Sequence, residues 1–163
     1  MKRSILLVVL LCSFTSAALA EEKWADLNQE VIRLYQKKDY SRATRKAQQA
    51  LDAADSEYGQ GSRESILAMN NLAMLYKTTG KYTAAEPLYK KSLAASEKLL
   101  GADHPDLAVP LNNLALYYQS QGKKQTAQKY ADRAVAVLEK ANGPNHPNVL
   151  EARARYAAMK KAR

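Results

Sequence analysis

Apolar residues recur at helical spacing through most of this chain, in paired stretches separated by glycine. From Asp106 onward, Leu107, Leu111, Leu114, Ala115 and Tyr118 follow one helical face. Pro105 stands where a helix can start without losing a needed N–H. Asp106 sets a carboxylate against the positive end of the helix dipole. Gly122 is expected to stop this helix, because glycine takes a left-handed cap at no steric cost. A second helix is predicted from about Lys124, with an apolar stripe of Ala127, Ala131, Ala134, Val135, Leu138 and Ala141. Gly143-Pro144 ends it, and His146-Pro147 opens another unit.

The same pattern stands one period upstream. Asn70-Asn71-Leu72-Ala73 recurs as Asn112-Asn113-Leu114-Ala115, Gly80-Lys81 as Gly122-Lys123, Gly101 as Gly143, and His104-Pro105 as His146-Pro147, always at an offset of 42. The first helix of that copy carries Leu67, Leu72, Ala73, Leu75 and Tyr76; its second carries Tyr82, Ala85, Tyr89, Leu93 and Leu100. A fixed period in the range of roughly 20–50 residues marks a solenoid of stacked units. Small alanines at the crossings let helices approach closely. Tyrosines fill the space beside them while their hydroxyls reach polar groups at the edge.

A degenerate copy precedes these. Val31–Tyr35 matches Leu72–Tyr76 at an offset of 41, whereas Tyr40, Ala43, Ala50, Leu51 and Gly59 match Tyr82, Ala85, Ser92, Leu93 and Gly101 at 42. The turn at Lys37-Lys38-Asp39 is therefore expected to be one residue shorter. Downstream, one further helix is predicted over 148–161, with Tyr156-Ala157 in the place of Leu114-Ala115. Arg153 and Arg155 there replace Leu111 and Asn113, as suits a polar capping helix. The expected organisation is repeats at about 24–63, 64–105 and 106–147, then a cap over 148–161: seven helices within a domain of residues 21–163.

Residues 1–20 read as an address. Lys2 and Arg3 precede an almost wholly apolar run, Ile5 to Phe14, and Ala18-Leu19-Ala20 offers small residues at the positions a signal peptidase reads. The run is short for a membrane span, which needs about 20 apolar residues. Leu10-Leu11 before Cys12 are too bulky for lipoprotein processing, so Cys12 is an apolar filler of the leader. Cleavage after Ala20 leaves a chain with no cysteine, no disulfide and no thiolate chemistry. These features point to export, to the periplasm or beyond.

The chain has 163 residues and a formal charge of +9, which falls to +7 when Lys2 and Arg3 are removed with the leader. Such a balance suits anionic partners, yet the charges are scattered, and Lys160-Lys161-Ala162-Arg163 is the only local cluster. Export argues against nucleic acid. Weak contact with an anionic surface is compatible with the charge, whereas stable membrane insertion of the cleaved chain is not expected. No nucleophile-elbow, zincin, P-loop or paired-carboxylate motif is present, and nothing points to an enzyme or a cofactor. His104 and His146 have no cysteine or second ligand at close spacing, so they read as part of each helix start rather than as a metal site. The tyrosines fall mostly on packing stripes and read as core. Trp24 is expected to pack over the first unit.

A helix pair with Leu72-Ala73, Tyr76, Gly80, Tyr82, Ala85 and Tyr89 resembles the tetratricopeptide repeat. The common unit of that family is shorter, at about 34 residues. The longer unit with LNNLA, GKY, AEPLYK and LGADHPD resembles the kinesin-light-chain type of that repeat, which is widespread in bacteria. The resemblance covers about Leu27 to Ala158. It implies an all-α, right-handed superhelical solenoid of antiparallel helix pairs. It also implies a concave groove, lined by the first helices, that binds a peptide or a partner helix.

Carried over residue by residue, the groove row is Glu30, Asn71, Asn113 and Arg155. One turn on lie Arg33, Met74 and Leu116, and beyond them Lys77 and Gln119. An asparagine amide both donates and accepts, which suits a peptide backbone. Arg155 and Lys77 can hold a carboxylate. The lysine-and-asparagine clamp for C-terminal carboxylates found in some relatives is not reproduced. Asn71 and Asn113 are open to two readings, ligand contact or hydrogen bonding between neighbouring repeats; Asn70 and Asn112 read as packing or solvent-facing. The function expected is a non-enzymatic adaptor of the cell envelope, binding a protein segment in the groove. The alternative is a self-associating structural or accessory subunit that works through its convex face or ends, for which the incomplete last repeat and the apolar Met74 and Leu116 form contact surface.

Overall fold

The computed structural model describes residues 23–161. They form seven α-helices: α1 (Trp24–Gln36), α2 (Tyr40–Tyr58), α3 (Arg63–Thr78), α4 (Tyr82–Leu100), α5 (Ala108–Ser120), α6 (Lys124–Asn142) and α7 (Pro147–Lys161). A single 3-10 turn, Pro105–Leu107, leads into α5. The expected leader lies outside the described residues. No helix among those described is long and apolar enough to cross a membrane.

Successive helices run antiparallel and pack as pairs, α1 with α2, α3 with α4, and α5 with α6, with α7 laid against α6. Alanine makes the close crossings possible: Ala43, Ala47, Ala50 and Ala54 on α2, Ala85 on α4, and Ala127, Ala131 and Ala134 on α6 are all buried. Between them stand the large buried side chains Leu72, Leu75, Tyr89, Leu107, Leu111 and Leu114. Some expected core positions differ. Leu67 is 43% exposed, and Ile32, which the offset of 41 matches to the buried Ala73, is 49% exposed. On α6 the buried residue is Val137, while Val135 and Leu138 are half-buried and Ala141 is exposed. The interior of α6 thus follows a narrower face than its apolar composition suggests.

The three turns within pairs are built alike. In each, an N–H one residue past the turn's centre reaches five residues back: Asp39 to Leu34, Lys81 to Tyr76, and Lys123 to Tyr118. The central residue reaches three back: Lys38 to Tyr35, Gly80 to Lys77, and Gly122 to Gln119. This is the Schellman arrangement, and it puts the central residue in the left-handed region. Lys38 stands there at φ 60°, Gly80 at 74° and Gly122 at 69°.

These bonds correct the register of the first copy. Each bond of the first turn recurs at an offset of 42, so that turn is full length and the offset of 41 does not hold. Asn28 takes the place of Asn70, Val31 that of Ala73, and Leu34 that of Tyr76. Glu30 and Arg33 then stand where Leu72 and Leu75 face the neighbouring pair. A one-residue slip is easy here because the outward face of α1 is charged. With fewer apolar positions to satisfy, the shifted register still matches leucine and valine to leucine.

That outward face is polar throughout. Asp26, Glu30, Arg33, Arg42 and Lys46 replace Ala68, Leu72, Leu75, Ala84 and Leu88 of the next pair. Leu88 packs against the core of the first pair, whereas the side chain at the matching position of that pair, Lys46, is charged. A solenoid end needs such a surface, because an apolar face left unstacked would be exposed.

Candidate functional site

The face shared by α1, α3, α5 and α7 carries the residues expected to bind. Corrected to one register, its rows are Gln29, Asn71, Asn113 and Arg155; then Ile32, Met74 and Leu116; then Tyr35, Lys77 and Gln119. Leu67 and Val109 precede them on the same face, 43% and 63% exposed. Met74, Leu116, Lys77, Gln119, Asn71 and Asn113 are half-buried, and Arg155 is exposed. Glu30 and Arg33 are brought together elsewhere, as an ion pair of 2.5 Å on the outward face of α1. The hydrogen bond from Arg33, ahead of its charge, holds the Glu30 carboxyl below the ordinary glutamate range. Sequence reasoning missed Gln29 and Ile32. The repetition of asparagine at 28, 70 and 112 was the signal that would have placed them.

Those asparagines tie the first helices together. Asn71 Nδ2 donates to Asn28 Oδ1 at 2.9 Å, and Asn113 Nδ2 to Asn70 Oδ1 at 3.3 Å. Tyr156 Oη donates to Asn112 Oδ1 at 3.0 Å. Asn70 is buried and also donates to Ser92 Oγ at 2.6 Å and to the Ile66 carbonyl at 3.2 Å. Asn71 and Asn113 therefore each commit one N–H to stacking, while their oxygen and second N–H keep a binding capacity.

Charge on the face is uneven. Arg155 is engaged by Glu151, one turn before it, at 2.6 Å. Lys77 has no ion-pair or hydrogen-bond partner for its ammonium among the described residues, and burial alone pushes its pKa below the ordinary lysine value. An unpartnered, half-desolvated cation is poised to receive an anion, since a carboxylate there would relieve part of the desolvation cost.

The tyrosines form structure rather than a platform. Tyr118 stacks on Tyr130 with centroids 5.5 Å apart and rings 5° from parallel, and Tyr117 meets Tyr82, Tyr89 and Tyr118 at tilted or edge-on angles. Tyr118 Oη donates to Glu86 Oε1 at 2.8 Å, and Lys90 pairs with the same oxygen at 2.7 Å. His104 and His146 act at helix starts: each Nδ1 accepts a backbone N–H two residues on, from Asp106 at 3.2 Å and from Asn148 at 3.3 Å. Trp24 stacks edge-on against Tyr58 at 5.9 Å, closing the first pair.

Repeated helix pairs stacked in one register, with a continuous face made by every first helix, define a helical-repeat scaffold. Residues 64–140 match the family model of the tetratricopeptide repeat. That match covers a little under half of the chain. Its fold is similar to the crystal structure of BtubC (BKLC) from P. vanneervenii, at a TM-score of 0.75 and 23% identity, covering 85% of this chain and 56% of that one. It is also similar to the nearly identical TPR-like repeats assigned to a kinesin light chain of Podosopora anserina. There the TM-score is 0.71 and the identity 21%, over 83% of this chain and 64% of that one. This chain thus spans less than two thirds of the length of either structure. No curated protein matches the sequence. Tetratricopeptide repeats generally mediate protein–protein interaction.

Proposed function

We propose that the chain is a non-enzymatic adaptor that holds a segment of another protein along the face of α1, α3, α5 and α7. The observation that carries this reading is the aligned row Ile32, Met74 and Leu116, three apolar side chains that reach the surface on the first helices of successive pairs, with Leu67 and Val109 beside them and Lys77 one turn away. A segment that presents apolar side chains to this row and a carboxylate to Lys77 fits its chemistry. The amide oxygens and remaining N–H groups of Asn71 and Asn113 would then meet its backbone. Export to the cell envelope belongs to the same proposal and rests on the leader-like residues 1–20. End-to-end self-association is disfavoured, because the outward face of the first pair is charged rather than apolar.

The test is site-specific photocrosslinking in the native cell. Crosslinkers at Met74 and Leu116 should trap one common protein, and crosslinkers at Ala94 and Ala136 on the second helices should not. Trapping of that protein from Ala94 and Ala136 alone would show that the other face binds. Met74→Glu with Leu116→Glu should abolish capture while leaving the helical content and Tm nearly unchanged.

A further inference from the structure

We propose that the edge of the solenoid carrying the α1–α2, α3–α4 and α5–α6 turns docks on an anionic lipid surface. Because the pairs stack in one register, these three turns lie along the same edge. Within two residues of them stand Lys37, Lys38, Lys77, Lys81, Lys123 and Lys124, against the single carboxylate Asp39. Asp39 is itself engaged by Arg42 at 3.5 Å. The opposite edge carries the turns between pairs. Within the same reach it has Glu57, Glu64, Asp103 and Asp106 against Arg63 alone.

Helix dipoles do not account for this asymmetry. Each edge contains both helix C-termini, which favour cations, and helix N-termini, which favour anions. Lys81 and Lys123 even occupy the N-cap positions of α4 and α6, where no side chain caps the helix. Asp39 fills that position in the first pair and accepts from the Arg42 N–H at 3.1 Å. The ammonium groups of Lys81 and Lys123 lie 5.9 Å and 5.7 Å from the ring centroids of Tyr76 and Tyr118. That contact holds the cations at the rim in the two pairs that lack the capping carboxylate.

The form of the edge favours a surface over a peptide. The cations are spread over three turns on three helix pairs, and lysine acts as a point charge rather than a shaped fork. Of the six exposed large apolar side chains among the described residues, Tyr58, Leu67, Leu99, Val109 and Leu150 lie toward the other edge, and Ile32 stands more than one helical turn before the α1–α2 turn. Docking is therefore electrostatic, without insertion. It stands the helices upright on the bilayer and leaves the face of the first helices open at the side.

Co-sedimentation of the full chain with mixed phosphatidylglycerol and phosphatidylcholine vesicles tests this. Phosphatidylcholine alone gives the baseline, which absorbs any contribution of the apolar Ile5–Phe14 run. Binding above baseline should be strong at low salt and vanish at high salt. Each lysine at such a surface is worth roughly a five-fold change in partitioning. Lys37→Gln, Lys81→Gln and Lys123→Gln together should then lower it on the order of 100-fold. The triple arginine variant at the same positions should retain binding, which separates loss of charge from loss of fold. Arg63→Gln, Lys91→Gln and Lys98→Gln remove equal charge away from this edge and should change partitioning far less. Equal losses in both triple glutamine variants would overturn the proposal, as would salt-resistant binding. So would lysine-dependent binding to polyglutamate with none to vesicles, or a salt-sensitive oligomer formed between opposite edges in place of vesicle binding.

Discussion

The side-chain amide of Asn71 donates to that of Asn28 across 2.9 Å, tying the first helix of one repeat to the first helix of the next. One register on, Asn113 makes the same contact to Asn70, which also donates to Ser92 from a buried position. The two steps are chemically alike but differ in burial, so they should differ in cost. Asn71→Ala removes a half-exposed bond worth about 1 kcal/mol, whereas Asn70→Ala leaves Asn113 and Ser92 without a partner and should cost about 2–3 kcal/mol. Urea unfolding of the two variants measures this. Equal midpoints would mean that the ladder does not couple the repeats.

Glu86 is the acceptor at the centre of the tyrosine cluster. Its carboxyl is held below the ordinary glutamate value, first by the hydrogen bond from Lys90 and then by that from Tyr118. A carboxyl depressed in the native state binds fewer protons there than in the unfolded chain. Its stabilisation is therefore complete above the unfolded pKa and is lost as pH falls through the folded one. Glu86→Gln should cost about 1 kcal/mol at neutral pH and much less at a pH below both values. Denaturation at the two pH values checks it; a constant difference would place the effect in packing instead of charge.

The helix count, the antiparallel pairing and the glycine stops were legible because they depend on local signals repeated at one spacing. Gly80 and Gly122 announce turns that only a left-handed residue closes. The first copy was harder, because Lys38 fills the glycine position and the outward face of α1 is charged. Periodicity alone then allowed a slip of one residue, which carried Glu30 and Arg33 onto the groove and left out Gln29 and Ile32. Partner choice was not legible at all. It depends on which side chains remain unpaired after folding, and the isolation of Lys77 is a property of its neighbours in space, not of its neighbours in sequence.

Lys77 should trade stability for binding. Its ammonium is half-buried with no described partner, and burial lowers its pKa. Lys77→Met keeps the apolar stem and removes the buried charge, so the fold should gain about 1 kcal/mol. The native chain loses this proton before the unfolded chain does. Wild-type stability should therefore rise with pH just below the ordinary lysine pKa, and that rise should be weaker in the variant. A segment held through a carboxylate should bind the variant about ten-fold more weakly. Unchanged affinity with raised Tm would assign Lys77 to no ligand.

Lys38 tests the turn geometry directly. It is the only non-glycine residue with positive φ among those described, at 60°, and Gly80 and Gly122 hold its place in the second and third repeats. A side chain in that region costs about 1 kcal/mol through the clash of Cβ with the following carbonyl. Lys38→Gly should therefore stabilise the first pair, with part of the gain cancelled by greater freedom of the unfolded chain. The converse change is equally clean. A Cβ added at Gly80 meets nothing within 4 Å, so Gly80→Ala should cost only the backbone strain, about 1 kcal/mol. Gly80→Asn should cost less, because asparagine bonds locally in that conformation. Thermal melts should give the order Gly80 above Gly80→Asn above Gly80→Ala, with Lys38→Gly above wild type. Tm values that do not separate Gly80→Asn from Gly80→Ala would mean that the turn has moved out of the left-handed region to accommodate them.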